Sequence, residues 1–317
     1  MKTRKLTLAL AAILLTSAAF VSSCKKKTTD DKDSDTTAAS DNSMAESSSN
    51  DAIKMAGQAS ESGSLSSYKL GEQNNSILSS CAVLVYDSVT SKTITVNFGS
   101  TPCLCADGHY RNGTVKFDYS GSTLGAKFYR NPGFKCIVTT PNNDYYVDGN
   151  KITFNKTIIN TTAANFNPAT TNMTWSVNGS VTIVKANNGG TINWSCSRTI
   201  TLMSTSAITY DGQPIAASYT NQYTPINWLH SVFSVSGSAN GMSSNGQSYT
   251  FNTTSPLVVN MNCTPIPARL GHHPIVQGSF DFTPGSKATR HVDFGNGTCD
   301  NIFTVTINGV SYTITIN

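Results

Sequence analysis

Four residues able to hold a metal alternate along one short stretch: Cys103, Cys105, Asp107 and His109. On a straight strand all four would share a face. Asp107-Gly108 is a strong turn signal, however, and a turn scatters that face. No second Cys/His pair with finger-like spacing completes a tetrahedral site, so no metal and no cofactor is expected. His272-His273 lies between Gly271 and Pro274 in a Pro-rich segment, where adjacent side chains point apart and a solvated loop is the expected setting. His109, His230 and His291 are isolated and read as strand or turn residues.

Acid–base chemistry is restricted further. No glutamate follows Glu72, which removes glutamate general acids, a metalloprotease helix and a glutamate-terminated calcium loop. Of the nine aspartates from Asp87 onward, Asp107, Asp148 and Asp211 precede glycine and are explained by turns. Asp118, Asp281 and Asp293 fall in predicted strands, where a pair of acids would be the one glycosidase option left. There is no Gly-x-Ser-x-Gly elbow and no phosphate loop. The chain is not expected to be an enzyme. Its candidate ligand-binding residues are aromatic: Tyr145-Tyr146 beside the Asp148-Gly149 turn, and Tyr223 with Trp228 around Pro225, could stack on sugars. Trp175 and Trp194 sit in strand patterns and read as core.

The elements that must position these residues begin with a three-part leader. Lys2, Arg4 and Lys5 give a positive start, Leu6 to Phe20 an uncharged apolar run, and Val21-Ser22-Ser23-Cys24 a small-residue exit. The run is short for a span of about 20 residues. Residues 1–23 are expected to be a lipoprotein signal peptide cut before Cys24, whose sulfur then carries acyl chains and anchors the protein without spanning. The formal charge of +4 falls to +1 once the three leader cations are subtracted (4 − 3). No basic block remains, and nucleic-acid binding gains no support. Residues 24–70, rich in Ser, Thr, Asn, Asp and Ala, read as a lipidated flexible tether, with a turn or two of helix possible near Met55. Residues 71–317 are expected to form an all-β domain.

Turn dipeptides punctuate that domain: Asp107-Gly108, Asn112-Gly113, Asp148-Gly149, Asn178-Gly179, Asn188-Gly189, Asp211-Gly212, Asn240-Gly241, Asn245-Gly246, Asn296-Gly297 and Asn308-Gly309. Asn and Asp tolerate positive φ and glycine adopts it freely, as tight hairpins need. Between them lie short runs of Thr, Val, Ile, Tyr and Phe. Around Asn308-Gly309 a two-residue loop sets Ile307 against Val310, Val305 against Tyr312 and Phe303 against Ile314, with Thr306 facing Ser311 and Thr304 facing Thr313. Around Asn178-Gly179 a three-residue loop with a glycine bulge would align Val177 with Val181 and Trp175 with Ile183. Further strands are predicted over 82–87, 93–98, 114–119, 127–130, 135–139, 151–159, 191–201, 232–238, 248–252, 257–262 and 275–282. The whole predicts an antiparallel meander of hairpins, packed as a sandwich or a strongly curled sheet. An echo joins the two ends: Val96, Phe98, Gly99 and Cys103 recur with identical spacing as Val292, Phe294, Gly295 and Cys299. It suits a duplicated half-domain or a recurrent hairpin equally.

The segment Ile94 to Gly113, with Phe98-Gly99, Cys103, Cys105, Asp107-Gly108, Arg111 and Gly113, resembles one end of a family of uncharacterised β-rich surface lipoproteins of Gram-negative bacteria. Arg290 to Ile316 is similar to the other end, and the Ser-Ser-Cys exit and acidic tether fit as well. The resemblance covers the middle of the chain poorly. It implies an outer-membrane lipoprotein, lipid-anchored at the cell surface, and no established activity. Of eight cysteines, Cys24 is assigned to lipid and seven remain, an odd number, so three bridges and one free thiol are expected outside the cytoplasm. Spacing and resemblance together favour Cys263 with Cys299, then Cys81 with Cys103. Two functional classes stay open: a surface binding or structural module whose partner is a glycan or a surface protein, and a glycan-processing hydrolase or its accessory subunit.

Overall fold

A computed structural model describes residues 37–62, 82–87, 91–105, 109–126, 128–167, 171–205, 209–210, 213–214, 231–263, 275–300 and 302–315. The leader, Cys24, Cys81, Asp107, Asp211, Tyr223, Trp228, His230 and His272-His273 lie outside them.

Among the described residues one α-helix, α1 (Thr37–Ser62), precedes eighteen strands. These are β1 (Val83–Asp87), β2 (Thr93–Asn97), β3 (Cys103–Leu104), β4 (Tyr110–Asn112), β5 (Thr114–Asp118), β6 (Lys135–Thr139), β7 (Tyr146–Val147), β8 (Asn150–Asn160) and β9 (Met173–Val184). There follow β10 (Thr191–Thr205), β11 (Thr209–Tyr210), β12 (Gln213–Pro214), β13 (Ser231–Met242), β14 (Ser248–Asn260), β15 (Ile275–Pro284), β16 (Arg290–Asn296), β17 (Ile302–Ile307) and β18 (Val310–Thr315). Sixteen strands form one uncurled sheet, with β11 and β12 apart as a small hairpin around positions 211–212. The all-β meander is as expected. Its packing is not: among the described residues no second sheet makes a sandwich, and the long sheet stays open.

Strand parity rules out one way of closing it. The main path runs β1-β2-β5-β6-β8-β9-β10-β13-β14-β15-β16-β17-β18, thirteen strands. Every neighbouring pair is antiparallel. With an odd number, the two edges β1 and β18 point the same way, so they cannot meet as one more antiparallel pair.

Alternation sorts the side chains. Along β10, Ile192, Trp194, Cys196 and Arg198 are buried, while Thr191, Asn193, Ser195, Ser197 and Thr199 are exposed. The inner face carries the core, including Trp175 and Trp194 as expected, with Phe117, Phe154, Phe251, Phe280, Phe282, Val292 and Phe303. The last hairpin has the expected register at all five pairs, on a loop with Asn308 and Gly309 both at positive φ.

Two Asn-Gly dipeptides read as turns lie inside strands instead. β9 runs straight through Asn178-Gly179, and β13 through Asn240-Gly241. The three-residue loop at 178–180 is not formed, since Val177, Gly179 and Val181 alternate inward in a continuous strand. Glycine is needed there for room: a Cβ on Gly179 would lie 2.4 Å from the Asn155 carbonyl oxygen, and one on Gly241 would lie 2.5 Å from that of Asn193. The expected strand at 127–130 is a turn at its described positions, and the two runs at 248–252 and 257–262 merge into β14.

The end-to-end echo is a shared local structure. Gly99 N donates to Asn97 Oδ1 and Gly295 N to Asp293 Oδ1, both at 2.8 Å. Their φ values are +80° and +79°, and both motifs deliver a half-cystine. Cys263 and Cys299 are disulfide-bonded to each other, as expected. Cys103 is also disulfide-bonded; its expected partner, Cys81, lies outside the described residues. Among the described residues three thiols are free and buried, Cys105, Cys136 and Cys196, where one free thiol was expected. Cross-linking a loop of this length contributes a few kcal/mol, about 2–4.

The largest departure is α1. Residues 37–62, expected to be tether, form a 26-residue helix laid on the inner face of the sheet. Polar composition hides its docking stripe. Ala38, Asn42, Ala45, Ser49, Ala52, Ala56 and Ala59 recur at alternating spacings of four and three, so they share one helix face, and all are buried. The sheet, too, carries small residues on its inner face. Gly179, Cys196 and Ala239 are cross-strand neighbours on the inner face, and Gly237 and Gly241 flank Ala239 along β13.

Candidate functional site

Two polar constellations stand out, one under the helix and one on the opposite face of the sheet. Under the helix, α1 carries acids to buried cations. Arg111, fully buried on β4, donates from Nη2 to Asp51 Oδ2 at 3.1 Å. Arg198 Nη2 reaches Glu46 Oε2 at 2.9 Å, and Lys185 Nζ reaches Asp41 Oδ1 at 3.0 Å. Asp41 also accepts from the Ser244 backbone N–H at 2.5 Å, and Asn42 Oδ1 from Trp194 Nε1 at 3.0 Å. Lys156 bonds Ser49 and sits over the Trp194 ring. Burial lowers the Lys156 pKa, the adjacent Cys196 and Glu46 opposing that shift. At the far end Tyr119 Oη donates to the Ala56 carbonyl at 3.2 Å, and the Tyr129 N–H donates to Ser60 Oγ at 3.3 Å.

This seam is structural in its chemistry. Arg111, Lys185 and Arg198 already hold carboxylates, and burial pushes the Cys136 and Cys196 thiols above the usual range, which suppresses the thiolate that would be the nucleophile. Burial likewise raises the Tyr129, Tyr145 and Tyr249 hydroxyls.

Tyr145, expected to stack on sugar, is corrected here. It is fully buried between Phe98 and Phe154, with ring centroids 5.9 and 5.8 Å away, and Arg111 lowers its raised pKa in part. Tyr146 is half-buried in the two-residue β7. Tyr223 and Trp228 fall outside the described residues.

On the outer face, cross-strand register builds a continuous polar row. Thr157 opposes Asn178, Asn178 opposes Ser197, Ser197 opposes Ser238 and Ser238 opposes Asn252. The row continues through Asp281, His291, Thr306 and Ser311. Nine side chains from nine strands thus stand in line over about 38 Å, taking roughly 4.8 Å per strand. Flanking rows are also polar, such as Asn155, Ser180, Ser195, Asn240, Thr250 and Thr283.

Within the row His291 Nδ1 contacts Asp281 Oδ1 at 2.7 Å, both side chains being about two-fifths exposed. Beyond them Thr306 Oγ1 and Ser311 Oγ are 2.8 Å apart. A second such pair, His109 Nδ1 with Asp148 Oδ2 at 2.6 Å, sits at the Asp148-Gly149 turn. Sequence reasoning treated these histidines as isolated. The signal for His291 lay in strand register: it is the residue opposite Asp281 once β15 and β16 pair. Of the other acids, Asp118 accepts from Ser120, whose hydroxyl holds its pKa below the usual carboxylate value. No group of three or more His, Cys, Asp or Glu with metal-site geometry occurs among the described residues, and no described helix is long and apolar enough to cross a membrane. Comparisons with protein-family models, with curated proteins and with solved structures found no match.

Proposed function

We propose that this chain is a membrane-anchored surface binding module which takes polyhydroxylated, glycan-like ligands on the outer face of its sheet. The nine-residue row from Thr157 to Ser311 carries the reading. Hydroxyl and amide groups both donate and accept, so an evenly spaced array of them suits an extended ligand that is itself lined with hydroxyls. α1 takes up the inner face through the ion-paired seam, which leaves the polar plane as the broad face on offer. The leader ending at Cys24 and the resemblance at both ends of the β domain support a lipid-anchored place on the outer membrane.

A glycan array probed with the full chain tests the binding reading. Retention on at least one polysaccharide class is expected, falling at least tenfold in Ser197→Arg and in Asn252→Arg, with thermal stability unchanged because both positions are solvent-exposed. Equal retention by wild type and both variants would place the ligand elsewhere. The anchor has its own test: Cys24→Ala is expected to leave the protein unlipidated and soluble, and continued partitioning with membranes would refute it.

The Asp281–His291 contact favours a second reading, a hydrolase whose histidine is oriented by an acid beside two hydroxyls. Sugar release from a bound glycan, abolished in His291→Ala while binding persists, would select it.

A further inference from the structure

β18 is the last strand on the path of the sheet, and among the described residues no strand pairs with its outer edge. Edge strands in stable monomers are guarded by charge, proline, bulges or a covering element. β18 reads Val310-Ser311-Tyr312-Thr313-Ile314-Thr315, with no charge and no proline, and its register against β17 is unbroken. Its apolar side chains continue the inner-face rows of β17, where Phe303 and Val305 are buried. Val310 and Tyr312 are nonetheless 53% and 49% exposed, because the sheet stops there.

Register and parity together single out the partner. The two-residue loop at Asn308-Gly309 makes Ile307 and Val310 a hydrogen-bonded pair, and such pairs alternate along a hairpin. Val310, Tyr312 and Ile314 therefore spend their backbone groups on β17, while Ser311 and Thr313 aim theirs at the open edge. The strand is palindromic in chemistry about Tyr312. Antiparallel pairing on a two-fold axis at Tyr312 sets Ser311 against Thr313 in hydrogen-bonded pairs. It also sets Val310 against Ile314 and Tyr312 against its own copy, on the apolar face. Each class of cross-strand pair is individually favourable, at about 0.2–1 kcal/mol. Head-to-tail growth is disfavoured, because β18 and β1 are parallel by parity and would make the weaker ladder. We propose that the chain forms an isologous dimer through β18, joining two sheets edge to edge about a two-fold axis at Tyr312.

Sedimentation of the full chain in mild detergent over a concentration series is expected to show a monomer–dimer equilibrium. Thr313→Pro removes one outward N–H without touching the β17 ladder, and should weaken the dimer at least tenfold. Should that variant misfold, Thr313→Lys replaces it, with circular dichroism as the check. Tyr312→Cys should form a symmetric intermolecular disulfide on mild oxidation, since non-hydrogen-bonded pairs sit about 4.5 Å apart between Cα atoms; peptide mapping identifies it. A monomer at every concentration, an open-ended polymer, a dimer indifferent to position 313, or the absence of that cross-link would each overturn the proposal.

Discussion

Asp51→Ala is expected to destabilise the fold by about 3–5 kcal/mol, the usual cost of leaving a buried charge without its counter-ion. Asp51 supplies the carboxylate to Arg111, whose side chain has no solvent exposure at all. Truncation leaves that guanidinium buried beside Tyr145 on β4, which pairs with β7, without the carboxylate of α1. A melting temperature lower by roughly 6–20 °C follows for a domain of this size, at about 2–4 °C per kcal/mol. The comparison that gives the number meaning is Asp148→Asn. It breaks the His109 pair at the surface while keeping a residue that tolerates the φ of +49°, and should cost under about 1 kcal/mol. The double variant Asp51→Ala/Arg111→Met should recover most of the loss, because an apolar side chain of similar length needs no counter-charge. If Asp51→Ala melted with the wild type, α1 would not be docked at Arg111, and the seam would have to be redrawn.

The contrast between those two aspartates shows what could be read in advance. The turn at Asp148 was legible because adjacent residues make it: an Asp-Gly pair suits a tight turn, and φ values of +49° and +79° are what the dipeptide is for. The last hairpin was legible for the same reason, its pairs being separated by only a few residues around one loop. The strand Lys135–Thr139 was found to the residue, as a short run with Ile, Val and Thr between turn signals. Cys263 with Cys299 needed more, a spacing and a resemblance, yet both ends were visible as cysteines.

Asp51 was illegible because everything that makes it matter is distant. Its partner lies 60 residues on, and those of Glu46 and Asp41 lie 152 and 144 residues on. Taken alone, α1 is rich in Ser, Asn and Asp, which compete for backbone hydrogen bonds and disfavour helix interiors. It has neither acids in its first turn nor bases in its last. Tertiary pairing overrides that weak propensity: small residues let the helix lie close to the sheet, and acids on its flanks meet cations projecting from β4 and β10 and from the turn after β9. The same distance hid the outer row, since no local pattern reveals that Asn178, Ser238 and His291 align. Local chemistry also misled at Asn178-Gly179, where two residues that favour turns lie in a strand instead, Gly179 for its small size and Asn178 in the outer polar row.

Gly179 supplies the most severe expected substitution. Gly179→Val should abolish folding at 37 °C or cost more than about 4 kcal/mol, beyond the range of ordinary single changes. Two independent reasons combine. The backbone there has φ of +149°, which β-branched residues avoid. A Cβ would also stand 2.4 Å from the Asn155 carbonyl oxygen and 2.6 Å from Lys156 Cα. Both obstacles are backbone of β8, held in register with β9 over ten consecutive pairs, so no flexible side chain can yield. Moving β9 away instead would open the ladder to β10, where Gly179 faces Cys196. Gly246→Asn is the control: φ is +83° in a β-turn with nothing within 4 Å of a new Cβ, and asparagine tolerates that region at about 1 kcal/mol or less. Urea midpoints for the two variants separate the explanations. A large loss at 179 with little at 246 means that close approach between strands is the constraint. Equal losses would mean that positive φ alone is costly, and the inner face would then have no special need for a residue without a side chain beneath α1.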